Sequence, residues 1–150
     1  MQVRGAPAIG VTAAYAVAMA ARDIDTTDKP TFIRKLTEAG GIIKAARPTA
    51  VNLMWAVDRM IAIADTEPDT PSIKSRLLSE AIAMEKEDEV INRRMGVNGK
   101  DLIPDGGSVL THCNAGALAT AAFGTAVGVI RANWEDGKRF NVFNTCLLYT

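Results

Sequence analysis

The stretch Ser108-Val109-Leu110-Thr111-His112-Cys113-Asn114-Ala115-Gly116 constrains this chain more than any other. Val109 and Leu110 are β-formers that follow the Asp105-Gly106-Gly107 turn signal, so a short strand is predicted here. Asn114 suits a helix N-cap, and the Ala-rich run from Ala115 to Ala132 predicts a helix. Gly137 ends that helix, and Arg139 to Phe143 is predicted as the next strand. A parallel pair of this kind needs a crossover, and one such unit cannot bury both faces of its sheet. The chain is therefore expected to stop in the middle of a domain.

Cys113 then falls where a strand gives way to a helix N-terminus. Free backbone N–H groups at such a place bind anions and lower a thiol's pKa. Against this, a buried free cysteine is most often just a small hydrophobe. His112 is no obvious base for Cys113, because adjacent strand residues point to opposite faces. The turn carries His-Cys-Asn-Ala-Gly where a dinucleotide site would carry G-x-G-x-x-G, which argues against a nucleotide cofactor.

Composition narrows the remaining classes. Seventeen basic residues balance seventeen acidic ones, so net charge gives no case for nucleic acid or an anionic membrane. The single histidine excludes a histidine-rich metal site. Cys113 and Cys146 form neither a disulfide framework nor a C-x-x-C pair, which favours a reducing, cytoplasmic setting. The apolar run Ala13–Ala21 is shorter than the about 20 residues a bilayer span needs.

In chain order, Gly5 and Pro7 fix a loop, and a mostly buried helix is predicted from about Ala8 to Arg22. Arg4, just before it, reads either as an anion clamp or as a solvated arginine. A second helix is predicted over Thr31–Ala46, with Gly40-Gly41 as a weak point. Pro48 pushes Arg47 out of the α region, onto an extended corner. There it can fork onto a carboxylate or phosphate, or cap the preceding helix. A third helix starts near Pro48-Thr49, and a fourth runs from Ser72 to about Arg94. Ile73, Leu77, Ala81, Met84, Ile91 and Met95 mark the inward stripe of that last helix. Asp88 falls on the same stripe, and with Asn92 one turn away it can hold a buried polar partner. Gly96, Gly99 and Asp105-Gly106-Gly107 separate a helical first half from the strand–helix–strand unit.

Four segments together resemble a known family. They are Val3-Arg4-Gly5-Ala6-Pro7-Ala8-Ile9-Gly10, Arg47-Pro48-Thr49-Ala50-Val51-Asn52-Leu53, Asn92-Arg93-Arg94-Met95-Gly96 and Leu110 through Thr120. In this order they look like the S-methyl-5-thioribose-1-phosphate isomerases, aldose–ketose isomerases of methionine salvage in the initiation-factor-2B alpha/beta/delta-like family. Related members include ribose-1,5-bisphosphate isomerase and non-catalytic regulatory subunits of the translation-initiation guanine-nucleotide exchange factor. The resemblance implies an α/β chain: a helical N-terminal domain, 1–104, and the first strand–helix–strand of an incomplete Rossmann-like parallel sheet, 105–143. It implies Cys113 as the catalytic residue and Arg4, Gly5, Ala6 and Arg47 as substrate-binding residues. It also implies a phosphosugar substrate, no cofactor or metal, no nucleic-acid or membrane partner, and a homodimer for the full-length family.

Two departures accompany the resemblance. Family members carry several dozen residues before the Val-Arg-Gly-Ala motif. Beyond Phe143 they continue into Glu-Thr-Arg-Pro and a Gln-Gly-Ala-Arg stretch, whereas 144–150 here reads as a tail outside the family, a translated transposon-adaptor end, so Cys146 gets no role. The family's catalytic aspartate and its Asn-Lys substrate contacts have no counterpart in this sequence. Truncation at both ends and loss of activity are the expectations.

Overall fold

A computed structural model describes residues 3–145; the expectations for Cys146 and the last five residues lie outside that range. Its elements are α1 (Ala6–Asp23), α2 (Lys29–Ala46), α3 (Val51–Thr66), α4 (Thr70–Asn98), β1 (Ser108–His112), α5 (Ala126–Glu135) and β2 (Asn141–Thr145), with single 3₁₀ turns at Lys100–Leu102 and Ala117–Ala119. The result is a helix-rich α/β chain with one small parallel sheet. The chain divides into two compact units, residues 9–85 and residues 1–8 with 86–150. The division falls inside α4, and the Asp105-Gly106-Gly107 turn is internal to the second unit.

The 9–85 unit is all helix. Asp28 caps α2 by accepting from the Thr31 N–H at 2.9 Å, and Asp69 does the same for α4 from Ser72 at 2.8 Å. Each carboxyl is held below the ordinary range: Asp28 chiefly by the Thr31 side chain, Asp69 chiefly by the Ser72 backbone N–H. Small residues on α1 (Ala14, Val17, Ala21) are fully buried with Phe32, Leu36, Val57, Met60, Ile73 and Leu77. Burying each of the larger side chains contributes about 1.5–3 kcal/mol. The Gly40-Gly41 pair does not break α2, which is continuous. A Cβ on Gly40 would stand 2.9 Å from Ile61 Cδ1 and 3.0 Å from Val57 Cγ1, so the glycine lets α2 and α3 approach closely. Glu80, 5% exposed, ties α4 to α3 through Arg59 Nη2 at 2.6 Å and pairs within α4 with Arg76 Nη1 at 2.9 Å.

In the second unit, β1 and β2 pair in parallel, with Ser108 opposite Asn141 and His112 opposite Thr145. The turn before β1 is tied to the approach to β2. Asp105 Oδ1 accepts from the Arg139 N–H at 2.7 Å, and Gly107 O accepts from the Asn141 N–H at 2.9 Å. Gly137, at φ +90°, ends the helix as expected.

The helix predicted over 115–132 is shorter and later: α5 starts only at Ala126. Residues 113–125 form a loop instead, and its Ala-rich helix propensity is overridden by anchors on the surrounding structure. The Ala115 carbonyl accepts from the Thr125 and Val127 N–H groups at 2.9 and 3.3 Å. Gly124, at φ +97°, passes so close to Gly116 that a Cβ would lie 2.8 Å from its carbonyl carbon. Asn114 is therefore no N-cap, and Cys113 does not sit at a helix N-terminus. The inward stripe of α4 also differs in its second half. Ile91 and Met95 are exposed, while Asn92, Gly96 and Gly99 are buried. Spacing alone let either row face inward. The row 88, 92, 96, 99 prevails because its small members admit α5 and Phe123: a Cβ on Gly96 would meet Phe123 Cε1 at 2.7 Å.

Candidate active site

The loop that follows β1 carries the chemistry-bearing residues of the second unit. Cys113 is its first residue, exposed, with the backbone at φ 72°. The exposure removes the reading of Cys113 as a buried small hydrophobe. A non-glycine residue at positive φ is uncommon and persists where surrounding contacts hold it. His112 is engaged elsewhere, its Nδ1 hydrogen-bonded to the Thr145 hydroxyl across the sheet.

The loop's far end is held just as firmly. Phe123 is buried at φ 75°, and two guanidinium groups approach its ring, Arg93 at 4.9 Å and Arg131 at 4.8 Å from the centroid. Asp88 Oδ2 accepts from the Ala121 N–H at 2.7 Å, and buried Asn92 donates to the Asp88 carbonyl at 2.8 Å. The polar partner anticipated for Asp88 on its stripe is thus a backbone amide of the loop. The clamp around Phe123 gave no signal in the sequence, because no spacing rule links residues 93, 123 and 131.

The Arg4-Gly5-Ala6 segment meets the same loop. Gly5 has φ +107°, and a Cβ there would stand 2.4 Å from Ala119 Cα and 2.6 Å from Ala119 O. Only a glycine permits that approach. Arg4 and Ala6, on either side of it, are exposed. The segment carrying Arg4 and the loop carrying Cys113 are therefore in direct backbone contact. Arg47 belongs to the 9–85 unit, where it is the C-cap of α2 at φ −146°, ψ 77°, the extended corner that Pro48 imposes. A guanidinium at a glycine-framed loop suits a phosphate, and an exposed thiol on a braced loop suits proton transfer.

Among the described residues, no group of three or more His, Cys, Asp or Glu is placed to hold a metal ion, and no helix is long and apolar enough to cross a membrane. An open apolar groove of about 500 Å³ lies along Ile91, Met95, Leu102 and Val129, and neither Arg4 nor Cys113 lines it.

Comparison with known proteins identifies the lineage. The model of the "Initiation factor 2 subunit family" matches residues 2–145. The chain belongs to that family. Family membership covers both enzymes and translation factors, and the similar proteins divide accordingly. A methylthioribose-1-phosphate isomerase of Acetivibrio thermocellus is 53% identical over 145 residues, and one of Desulforamulus reducens is 50% identical over 145. Both matches take in 95% of this chain and 42% of the relative, so the chain spans about two fifths of the length of the curated relatives it matches. Among solved structures, 5-methylthioribose 1-phosphate isomerase from Pyrococcus horikoshii superposes with a TM-score of 0.84 at 34% identity, over 97% of this chain and 48% of the other. Translation initiation factor eIF-2B, subunit delta, from A. fulgidus does so with a TM-score of 0.82 at 40% identity, over 96% and 42%.

Proposed function

We propose that the chain is the part of an aldose–ketose isomerase that carries the phosphate-binding loop and the catalytic thiol, acting on S-methyl-5-thio-α-D-ribose 1-phosphate to give S-methyl-5-thio-D-ribulose 1-phosphate in methionine salvage. The observation that carries this reading is the seat of Gly5 on Ala119, which joins the Arg4 segment to the Cys113 loop. The isomerase name of relatives about half identical supports it.

The chemistry follows from the substrate. Its anomeric oxygen carries phosphate, so the ring cannot open by loss of a hydroxyl proton. Arg4, with the backbone of Gly5 and Ala6, holds the phosphate dianion, and the family resemblance adds Arg47 as a second substrate contact. The ring opens instead as the bond from C1 to the ring oxygen breaks and that oxygen takes up a proton. Hydrogen moves from C2 to C1, by a proton passing through an enediol or by a hydride shift, and the C2 hydroxyl gives up its proton to become the ketone. Cys113 serves as the base in the first route and stabilises the transition state in the second, in a site kept dry. The division into a helical domain, 1–104, and a Rossmann-like one from 105 belongs to the same proposal, as do cytoplasmic action and homodimerisation of the full-length protein.

The test is a chimera in which residues 2–145 replace the matching segment of the Acetivibrio thermocellus relative. It is expected to turn over S-methyl-5-thioribose 1-phosphate at least ~10-fold faster than ribose 1,5-bisphosphate, because a pocket that takes the apolar methylthio group leaves a second phosphate dianion desolvated and unpaired. Preference for the bisphosphate would make it the related isomerase. The fold match to an initiation-factor subunit favours a second reading, a non-catalytic regulatory module; it predicts turnover of neither sugar.

A further inference from the structure

Resting on the isomerase reading, we propose that Asp88 is a positioning residue of the site: through the Ala121 N–H it fixes the loop on which Cys113 and the Gly5 seat both depend. Asp88 touches no reacting atom in this scheme. Its Oδ2 takes the Ala121 N–H at 2.7 Å, two residues from Ala119, whose backbone Gly5 packs against. Asp88 is itself fixed, on a helix and with its carbonyl held by the side chain of Asn92, which is 2% exposed. The Ala115 carbonyl ties the Cys113 end to the start of α5, and the Phe123 clamp ties the other end. Asp88 holds the middle, where the phosphate-side segment rests.

The consequence is catalytic as well as structural. A phosphate gripped by Arg4 aligns the sugar with Cys113 only if the Gly5–Ala119 seat keeps a fixed distance from Cys113. A displacement of about 1 Å between binding and reacting groups costs on the order of 10²-fold in rate. Substrate affinity depends less on that distance, since the phosphate contacts themselves survive.

The test uses the full-length chimera described above, assayed where every variant is fully folded by circular dichroism. Asp88→Ala is expected to lower kcat by about 10- to 100-fold with KM changed less than about 3-fold, and to speed hydrogen exchange at Ala121. Asp88→Asn keeps an acceptor of the same shape and should recover most of the loss in both readouts. Lys86→Ala, an exposed change on the same helix, should leave both untouched. If Asp88→Ala speeds exchange while kcat stays native, Asp88 is structural only and the proposal falls. Equal damage from Asn and Ala would also overturn it, since the acceptor would then not be what matters. A parent chimera without turnover would instead sink the isomerase reading, whatever Asp88 does to exchange.

Discussion

Gly5 is the residue on which the proposed site turns. Its φ of +107° is open to glycine, and the Ala119 backbone leaves no room for a side chain. Gly5→Ala in this chain is therefore expected to cost about 1–3 kcal/mol of unfolding free energy from backbone strain, with steric overlap added. Chemical denaturation measures it, and a variant as stable as the parent would mean that the segment does not rest on Ala119. Cys113 is a different case at the same scale. Its place at the end of a strand is legible in the sequence, whereas the helix N-terminus expected just after it is not there: α5 starts only at Ala126. The sequence offers Asn114 as a good cap and eighteen residues of helix-compatible composition after it. What cancels that helix is largely non-local: the Asp88 carboxylate, the Gly5 seat and the Arg93 guanidinium over Phe123 lie far away along the chain. Local propensity cannot register such partners.

Among the elements, the first four helices are readable to within a few residues of their ends, because capping and periodicity are local. Asp28 with Pro30 and Asp69 with Pro71 place the starts of α2 and α4. The inward row of α4 was readable only in its apolar half. Past Met84 the buried row becomes Asn92, Gly96 and Gly99, residues with no hydrophobic signal, while Ile91 and Met95 next to them have one. The α3–α4 link rests on Glu80, whose carboxylate is almost wholly enclosed and shared by Arg59 and Arg76. Removing it leaves two cations facing each other, so Glu80→Ala should destabilise by roughly 2–4 kcal/mol, a little under the cost for a fully buried pair because both arginines keep some solvent. Arg76→Ala removes a half-exposed partner one turn away and should cost under about 1 kcal/mol. Thermal unfolding of the two variants compares them directly; equal losses would mean that Glu80 is held by α4 alone.

At the scale of the whole molecule, the parallel pair is the least protected part. Every residue of β2 is exposed, and Leu110, Val142 and Phe143 present 68%, 47% and 59% of their surfaces. An uncovered sheet face with open edges is a template for association. Purified residues 1–150 should therefore self-associate with rising concentration in sedimentation velocity, and Leu110→Lys with Phe143→Lys should reduce it. A monodisperse monomer at high concentration would contradict this.

Cys113, on a loop seated against the Arg4 segment, is the proposed agent of the isomerisation, and turnover of S-methyl-5-thioribose 1-phosphate by the chimera with Cys113→Ala is the decisive measurement. The expected result is a fall in kcat of at least about 10²-fold, the usual contribution of a positioned acid–base group, while the substrate still binds. Turnover that survives the substitution unchanged would contradict it.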